Sequence, residues 1–199
     1  MTGISNGGTS ANDYATVSYN AGTGAQLWAT RYNGPGNGSD DVRQLVVSPA
    51  GDTVFVTGQS DGGATAGYDA ATVAYNAATG ETRWVKRYNG PLNGNDGANS
   101  VGISPAGDTV FVTGGSANGG LPPGEGFVTI AYDAATGSQL WVKRYNGDGV
   151  TKRGGYAVSL AVSPGGGAVY VTGIGPATTS GDDYVTAGYN AATGCRAVD

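Results

Sequence analysis

One stretch constrains this chain more than any other. AYDAATGSQLWVKRYNG, beginning at Ala131, returns as AYNAATGETRWVKRYNG from Ala74 and as SYNAGTGAQLWATRYNG from Ser18. A fourth copy opens as GYNAATG at Gly188 and then departs from the pattern over Cys195, Arg196, Ala197, Val198 and Asp199. Trp28, Trp84 and Trp141 stand 56 and 57 residues apart, and Tyr19, Tyr75, Tyr132 and Tyr189 keep the same spacing. A fixed period of this length means a repeat array, with one supersecondary unit per period packed on its neighbours.

The unit is built of strands. Each full repeat holds four short runs of alternating large and small residues bounded by turn residues: in one copy ATVAYN ending at Asn76, TRWVKRY ending at Tyr88, NSVGIS ending at Ser104 and TVFVTG ending at Gly114. Asn-Ala-Ala-Thr-Gly (76–80) joins the first pair and Ser-Pro-Ala-Gly-Asp (104–108) the last. Both are tight connections in which glycine takes a positive φ, so the joined strands are antiparallel. Glycine makes up 38 of the 199 residues, and Leu, Ile, Val and Phe together only 33. That apolar share lies below the roughly 20% at which disorder is first indicated. Against disorder stand 12 Tyr, 3 Trp, a net charge of only −5 and the kept alternation.

One strand of each repeat carries Leu45 and Val47, Val101 and Ile103, or Val158, Leu160 and Val162 on one side. Gln44 and Val46, Ser100 and Gly102, or Ser159 and Ala161 lie on the other. Small residues there suit an innermost strand near a crowded axis, while Lys86, Arg87, Lys143 and Arg144 would blunt an exposed outer edge. The expectation is an all-β chain of β-propeller blades, each of four antiparallel strands, with about 3 to 3.5 blades per chain. They form a single array over 1–199: a partial blade at 1–33, blades at 41–89 and 98–146, and a partial blade at 156–199.

Ala131, Asp133, Thr136, Gly137 and Trp141 fit the pattern A-x-D-x-x-T-G-x-x-x-W, which resembles the tryptophan-docking motif of the quinoprotein-like (PQQ-like) β-propeller repeat family. Ala74, Asn76, Thr79, Gly80 and Trp84 fit it with Asn for Asp; Ser18, Asn20, Thr23, Gly24 and Trp28 fit less fully. The resemblance covers essentially the whole chain. It implies that each Trp packs onto the neighbouring blade, and it implies an extracellular or cell-envelope location. It does not imply an activity, because the same repeat serves enzymes and scaffolds.

Function is less legible. The chain has no histidine, which excludes Ser-His-Asp catalysis, His-ligated zinc and a His general base. Trp28, Trp84 and Trp141, Tyr19, Tyr75, Tyr132 and Tyr189, and Arg31, Arg87 and Arg144 recur in register, as structural residues do. Each Arg is expected to bond carbonyls or an acidic group between blades. Cys195 reads as an incidental thiol with no partner. The long connections carry 10 of the 15 acids, and long, dissimilar loops are where repeat proteins place recognition. Asp40, Asp41, Asp96 and Asp182 are weak candidates for a hard cation such as Ca2+, though solvated acids are the commoner outcome. Asp13, Asp69 and Asp183 recur at one strand entrance as turn residues.

No basic stripe is present for nucleic acid, and no apolar run is long enough to cross a bilayer. The first residues do not read as a charged-then-apolar leader. Met1-Thr2-Gly3 falls where the repeats read Val-Thr-Gly, as in a segment of a longer array. The reading is a non-catalytic repeat module, with no catalytic residue and no cofactor, binding a small molecule, carbohydrate or protein through its long-loop face. The alternatives are a fragment of a quinone-dependent dehydrogenase or carbohydrate-active enzyme, and a purely structural array. Against the dehydrogenase, the resemblance implies a bound Ca2+ and usually an adjacent cysteine pair, and Cys195 has no neighbour. Three blade-equivalents are fewer than a closed propeller needs. The expected assembly is therefore a head-to-tail homo-oligomer, most simply a dimer of about six blades, or about eight if both partial blades stay separate.

Overall fold

The computed structural model describes residues 1–63, 67–117, 125–145, 155–176 and 181–196. Among these residues fourteen strands fall into four antiparallel sheets, each built from consecutive strands. The first has three: β1 (Thr2–Asn6), β2 (Asn12–Tyr19) and β3 (Gln26–Tyr32). The second runs β4 (Asp40–Val47), β5 (Thr53–Asp61), β6 (Tyr68–Asn76) and β7 (Thr82–Tyr88). The third runs β8 (Asp96–Ile103), β9 (Thr109–Ala117), β10 (Glu125–Asp133) and β11 (Gln139–Tyr145). The last has β12 (Tyr156–Val162), β13 (Ala168–Pro176) and β14 (Asp182–Asn190). The chain is thus all-β, in blade-like sheets of three or four strands.

Turn chemistry sets the strand ends. In the β6–β7 hairpin the Asn76 side chain accepts from the N–H groups of Ala78 (2.9 Å) and Thr79 (3.2 Å), and Gly80 closes the turn at φ 76°. Asn20, Asp133 and Asn190 do the same in the other sheets. Between β8 and β9 the Ser104 hydroxyl donates to Asp108 Oδ1 (2.6 Å) and accepts from Asp108 N and Thr109 N. Across the middle of each sheet a threonine pair joins the second strand type to the third: Thr57 with Thr72 at 3.0 Å, and Thr113 with Thr129 at 3.1 Å.

The inner strands hold a device the alternation did not reveal. The β8–β9 ladder slips between Ala98 and Ser100, so Asn99 is an extra residue. Arg43 in β4 and Val158 in β12 are extra at the same place. Such a bulge bends its strand and increases the local twist. It also explains why β8 begins at Asp96 and β9 runs to Ala117, both beyond the expected limits: pairing resumes on the far side of the slip. Opposite each bulge sits the glycine of Val-Thr-Gly. A Cβ on Gly114 would collide with the Gly97 carbonyl oxygen and lie 2.8 Å from Ala98 Cα; Gly58 and Gly173 are crowded in the same way.

The core lies between the sheets in three separate clusters, one per junction. Tyr14 meets Val56, Ala71, Val73 and Tyr75; Phe55 and Trp84 meet Val110, Val128, Ile130 and Tyr132; Phe111, Phe127 and Trp141 meet Val169, Val171, Ala187 and Tyr189. The small-residue side of the inner strand does permit close approach. A Cβ on Gly102 would come within 2.6 Å of Leu160 Cδ1 and 3.3 Å of Val162 Cγ2 in the next sheet. The charged edge is corrected. Lys86 and Lys143 lay their stems against Gly137 and Gly194 of the following sheet, because long apolar stems bury along neighbouring surface while their heads stay wet.

Two outcomes follow from these turns and bulges. Gly114→Ala, which forces backbone against backbone, should lose at least about 2 kcal/mol in urea denaturation, while Gly102→Ala, which meets only a movable leucine, should lose less. The hydroxyls of Ser48, Ser104 and Thr136 hold the carboxyls of Asp52, Asp108 and Asp133 below the usual carboxylate range. A folded pKa that is depressed gives stability present above the unfolded value and lost as pH falls through the folded one. Melting temperature should therefore drop as pH falls below about 4, and Ser104→Ala should flatten that drop.

Candidate functional site

Each repeated tryptophan donates its indole N–H to one backbone carbonyl in the next sheet: Trp28 to Ala77 (2.9 Å), Trp84 to Ala134 (3.0 Å) and Trp141 to Ala191 (2.9 Å). The ring lies on the hairpin glycine, where a Cβ on Gly80, Gly137 or Gly194 would come within 2.7–2.8 Å of it. Beside it stands the tyrosine of the receiving sheet, Tyr75, Tyr132 or Tyr189, with ring centroids 6.2–6.4 Å apart. Tyr19, the first of that series, has no indole against it among the described residues and is 46% exposed.

The repeated arginines work mainly within their own sheets. Arg87 pairs with the buried Asp69 at 2.8 Å, donates to the carbonyls of Ser60 (3.1 Å) and Asp61 (2.9 Å) and bonds the Ser60 hydroxyl. Among the described residues only its bond to the Tyr32 hydroxyl (2.9 Å) crosses to the preceding sheet, so the expectation of contacts between blades holds there for one of its bonds. Arg144 bonds the Ser116 hydroxyl and the Ala117 carbonyl. Arg31 bonds the Asn6 carbonyl at 2.9 Å and reaches Asp13 at 3.7 Å. Asp13 and Asp69 are therefore buried partners of arginine and not turn residues, while Asp183 is exposed.

The candidate metal acids are not gathered. Asp40 is buried, with Oδ2 accepting from Gly34 N (2.7 Å) and Oδ1 from Asp61 N (3.1 Å). Asp96 is buried and accepts from Gly90 N at 2.6 Å. Each fixes the Arg-Tyr-Asn-Gly segment leaving one sheet to the inner strand that opens the next. Burial pushes the Asp96 carboxyl up, against the pull of the Ser116 hydroxyl, the Gly90 N–H and the Arg144 charge. Asp41 accepts from Gln59 Nε2 at 3.1 Å, and Asp182 is exposed. Among the described residues no three His, Cys, Asp or Glu side chains come together. Cys195 is exposed and free.

What the long-loop end does form is a cleft of about 370 Å3, lined by Gln59, Tyr68, Asn95, Asp96, Gly97, Asn99, Gly115 and Tyr156. It lies where the second, third and last sheets meet. Its walls are tied down: Asn95 Oδ1 accepts from Tyr68 N (3.2 Å), and Asn99 Nδ2 donates to the Ala157 carbonyl (2.8 Å). The loops before it are internally bonded as well. Asn89 Nδ2 donates to Asn93 Oδ1 (2.6 Å), with Asn93 at φ 51°. Asn99 is the bulge residue, which is why alternation alone could not place it here. The conservative test of the polar wiring is a pair of arginines. Arg87→Ala strands a buried Asp69 and should cost about 3–5 kcal/mol in urea denaturation, whereas Arg31→Ala removes a half-exposed guanidinium 3.7 Å from an Asp13 that keeps its bond from the Ser10 hydroxyl, and should cost less.

Comparison with solved structures gives the fold. A quinohemoprotein alcohol dehydrogenase from Pseudomonas putida HK5 superposes over 100% of this chain and 32% of its own, with TM-score 0.64 and 17% identity. The periplasmic gluconolactonase of Pseudomonas aeruginosa covers 94% of this chain and 49% of its own (TM-score 0.53, 16% identity). The β-propeller domain of the Trilobed protease from Pyrococcus furiosus covers 98% and 51% (TM-score 0.54, 7% identity). The chain thus spans about a third to a half of the length of these structures. No curated protein matches it. The profile of the family described as outer membrane protein assembly factor BamB matches residues 11–179, and with its period, its blade-like sheets and this match the chain belongs to the PQQ-like β-propeller repeat family.

Proposed function

We propose that the chain is a non-catalytic binding module of the cell envelope, taking a neutral polar ligand, a carbohydrate or a peptide segment, in the cleft at its long-loop end. The observation that carries this reading is the lining of the cleft. Gln59, Asn95 and Asn99 bring three amides and Tyr68 and Tyr156 bring two aromatic rings into one concavity. Amides both donate and accept, so they match hydroxyl or peptide groups, the Asp96 carboxyl in the same wall accepts a further donor such as a hydroxyl, and tyrosine offers an apolar face with a polar tip. A few convergent polar groups in a concave site are the usual form of a ligand pocket. Placement on a fixed scaffold limits the ordering cost of binding. The envelope location rests on the family and on the periplasmic gluconolactonase among its structural likenesses.

The reading is tested by calorimetric titration of the whole chain with a panel of neutral oligosaccharides and capped peptides. At least one probe should bind, and Tyr156→Ala, a change at an exposed position, should weaken it at least roughly tenfold with unchanged circular dichroism. Binding that ignores this substitution, or no binding across the panel, would overturn the proposal. Turnover of a probe would favour the enzyme reading instead.

A further inference from the structure

The cleft at the long-loop end opens where one repeat omits two side chains. Gly97 stands opposite Gly115 in the β8–β9 ladder. At the same positions the second sheet pairs Asp41 with Gln59, and the last pairs Tyr156 with Ile174. A Cβ on Gly97 would meet nothing nearer than Gln59, 3.5 Å from its Oε1, and the backbone there is not in the left-handed region. Neither crowding nor conformation therefore calls for glycine at 97. What the glycine leaves is bare backbone in the floor of a cleft that also holds the ring of Tyr68, and glycine in a strand marks places where a ligand can approach the main chain closely.

The amides around this floor are half used, each in a definite sense. The Asp41 carboxylate only accepts, so Gln59 gives it Nε2 (3.1 Å) and keeps Oε1. The Ala157 carbonyl only accepts, so Asn99 gives it Nδ2 (2.8 Å) and keeps Oδ1. The Tyr68 N–H only donates, so Asn95 meets it with Oδ1 (3.2 Å) and keeps Nδ2. Asp96, 1% exposed, adds a carboxyl oxygen, Oδ1, that accepts no hydrogen bond among the described residues. Among those residues, then, three unused acceptors in the cleft stand against one unused amide donor. The side chains that supply them belong to the second and third sheets, each of which packs against a sheet on either side.

We propose, on the reading that the cleft takes a ligand, that this ligand is an uncharged pyranose sugar: its ring lies over Gly97 and Gly115, and its hydroxyls donate to Gln59 Oε1, Asn99 Oδ1 and Asp96 Oδ1. A hydroxyl rotates to give its hydrogen to whichever acceptor is near, and adjacent ring hydroxyls present several donors at once. A peptide brings as many carbonyls as N–H groups, and its carbonyls would face oxygens that have no hydrogen to give. A carboxylate or phosphate is opposed by the same oxygens and by the charge of Asp96. The C–H face of the sugar ring finds its apolar surface in tyrosine.

Calorimetric titration of the whole chain at neutral pH tests this, with neutral oligosaccharides of glucose, galactose and mannose, oligogalacturonate as the acidic counterpart, and capped tripeptides. At least one neutral sugar should bind, with oligogalacturonate and the peptides at least roughly tenfold weaker. Gly97→Tyr, which gives the third sheet the residue the last sheet has there, should abolish sugar binding with unchanged circular dichroism. Gly97→Ala, whose Cβ makes only ordinary contacts, keeps the fold and should weaken the same binding. A peptide that binds, and is lost on Gly97→Tyr, would overturn the sugar assignment while supporting the cleft as a ligand site. Oligogalacturonate bound as tightly as a neutral sugar would likewise overturn the assignment alone. Sugar binding indifferent to both substitutions, or no binding by any probe, would overturn the assignment and the reading of the cleft together.

Discussion

The structure depends on one contact repeated three times, an indole on the outermost strand of a sheet seated on the hairpin of the next. Burying a side chain of this size stabilises by an amount whose loss on truncation is about 3–5 kcal/mol, and the indole N–H, satisfied by an alanine carbonyl, removes the penalty of an unpaired donor. The receiving hairpin must offer a carbonyl and a bare glycine at the same spot. That double requirement accounts for Ala-Ala-Thr-Gly better than turn propensity alone, because the positive φ and the absence of a side chain are both used. Sheets of three or four strands with so few large aliphatics would be marginal by themselves, so the junctions make the repeats a protein.

Beneath the apolar junction lies a polar one. Asp40 with Gly34, and Asp96 with Gly90, pin each departing strand to the sheet that follows, while Arg87 with Asp69 pins the outer strand to the middle of its own sheet. The first junction type brings sheets together and the second fixes the path of the chain between them. The cleft at the long-loop end inherits its rigidity from this wiring: Asp96 and Asn99 are both wall and fastening.

The fold was largely legible in the sequence because its information is periodic. Trp84 and Trp141 sit one period apart, and everything that recurs with them could be read as scaffold. What escaped was what breaks the two-residue alternation. Asn99 is an extra residue in a strand that otherwise alternates, so its face could not be assigned from neighbours, and Gly114 looked like the end of a strand when it is the partner of that bulge. The acids were misread for a related reason. Composition places Asp40, Asp69 and Asp96 near long connections, but only the three-dimensional path shows that they face backbone N–H groups or an arginine and not solvent. The residues of the cleft could not be picked out from the sequence, since its lining comes from three different repeats at non-equivalent positions.

The direction of the tryptophan contact has an evolutionary corollary. The second and third sheets each carry a plug on their last strand and a socket on the hairpin before it, so compatibility is written within one unit and not between particular neighbours. A duplicated repeat inserted anywhere in the array would bring both halves of its own attachment, and a deleted one would leave its former neighbours able to join. The array can change length by whole units without any side chain being redesigned, and diversification can then proceed in the long connections, where the sockets make no demands.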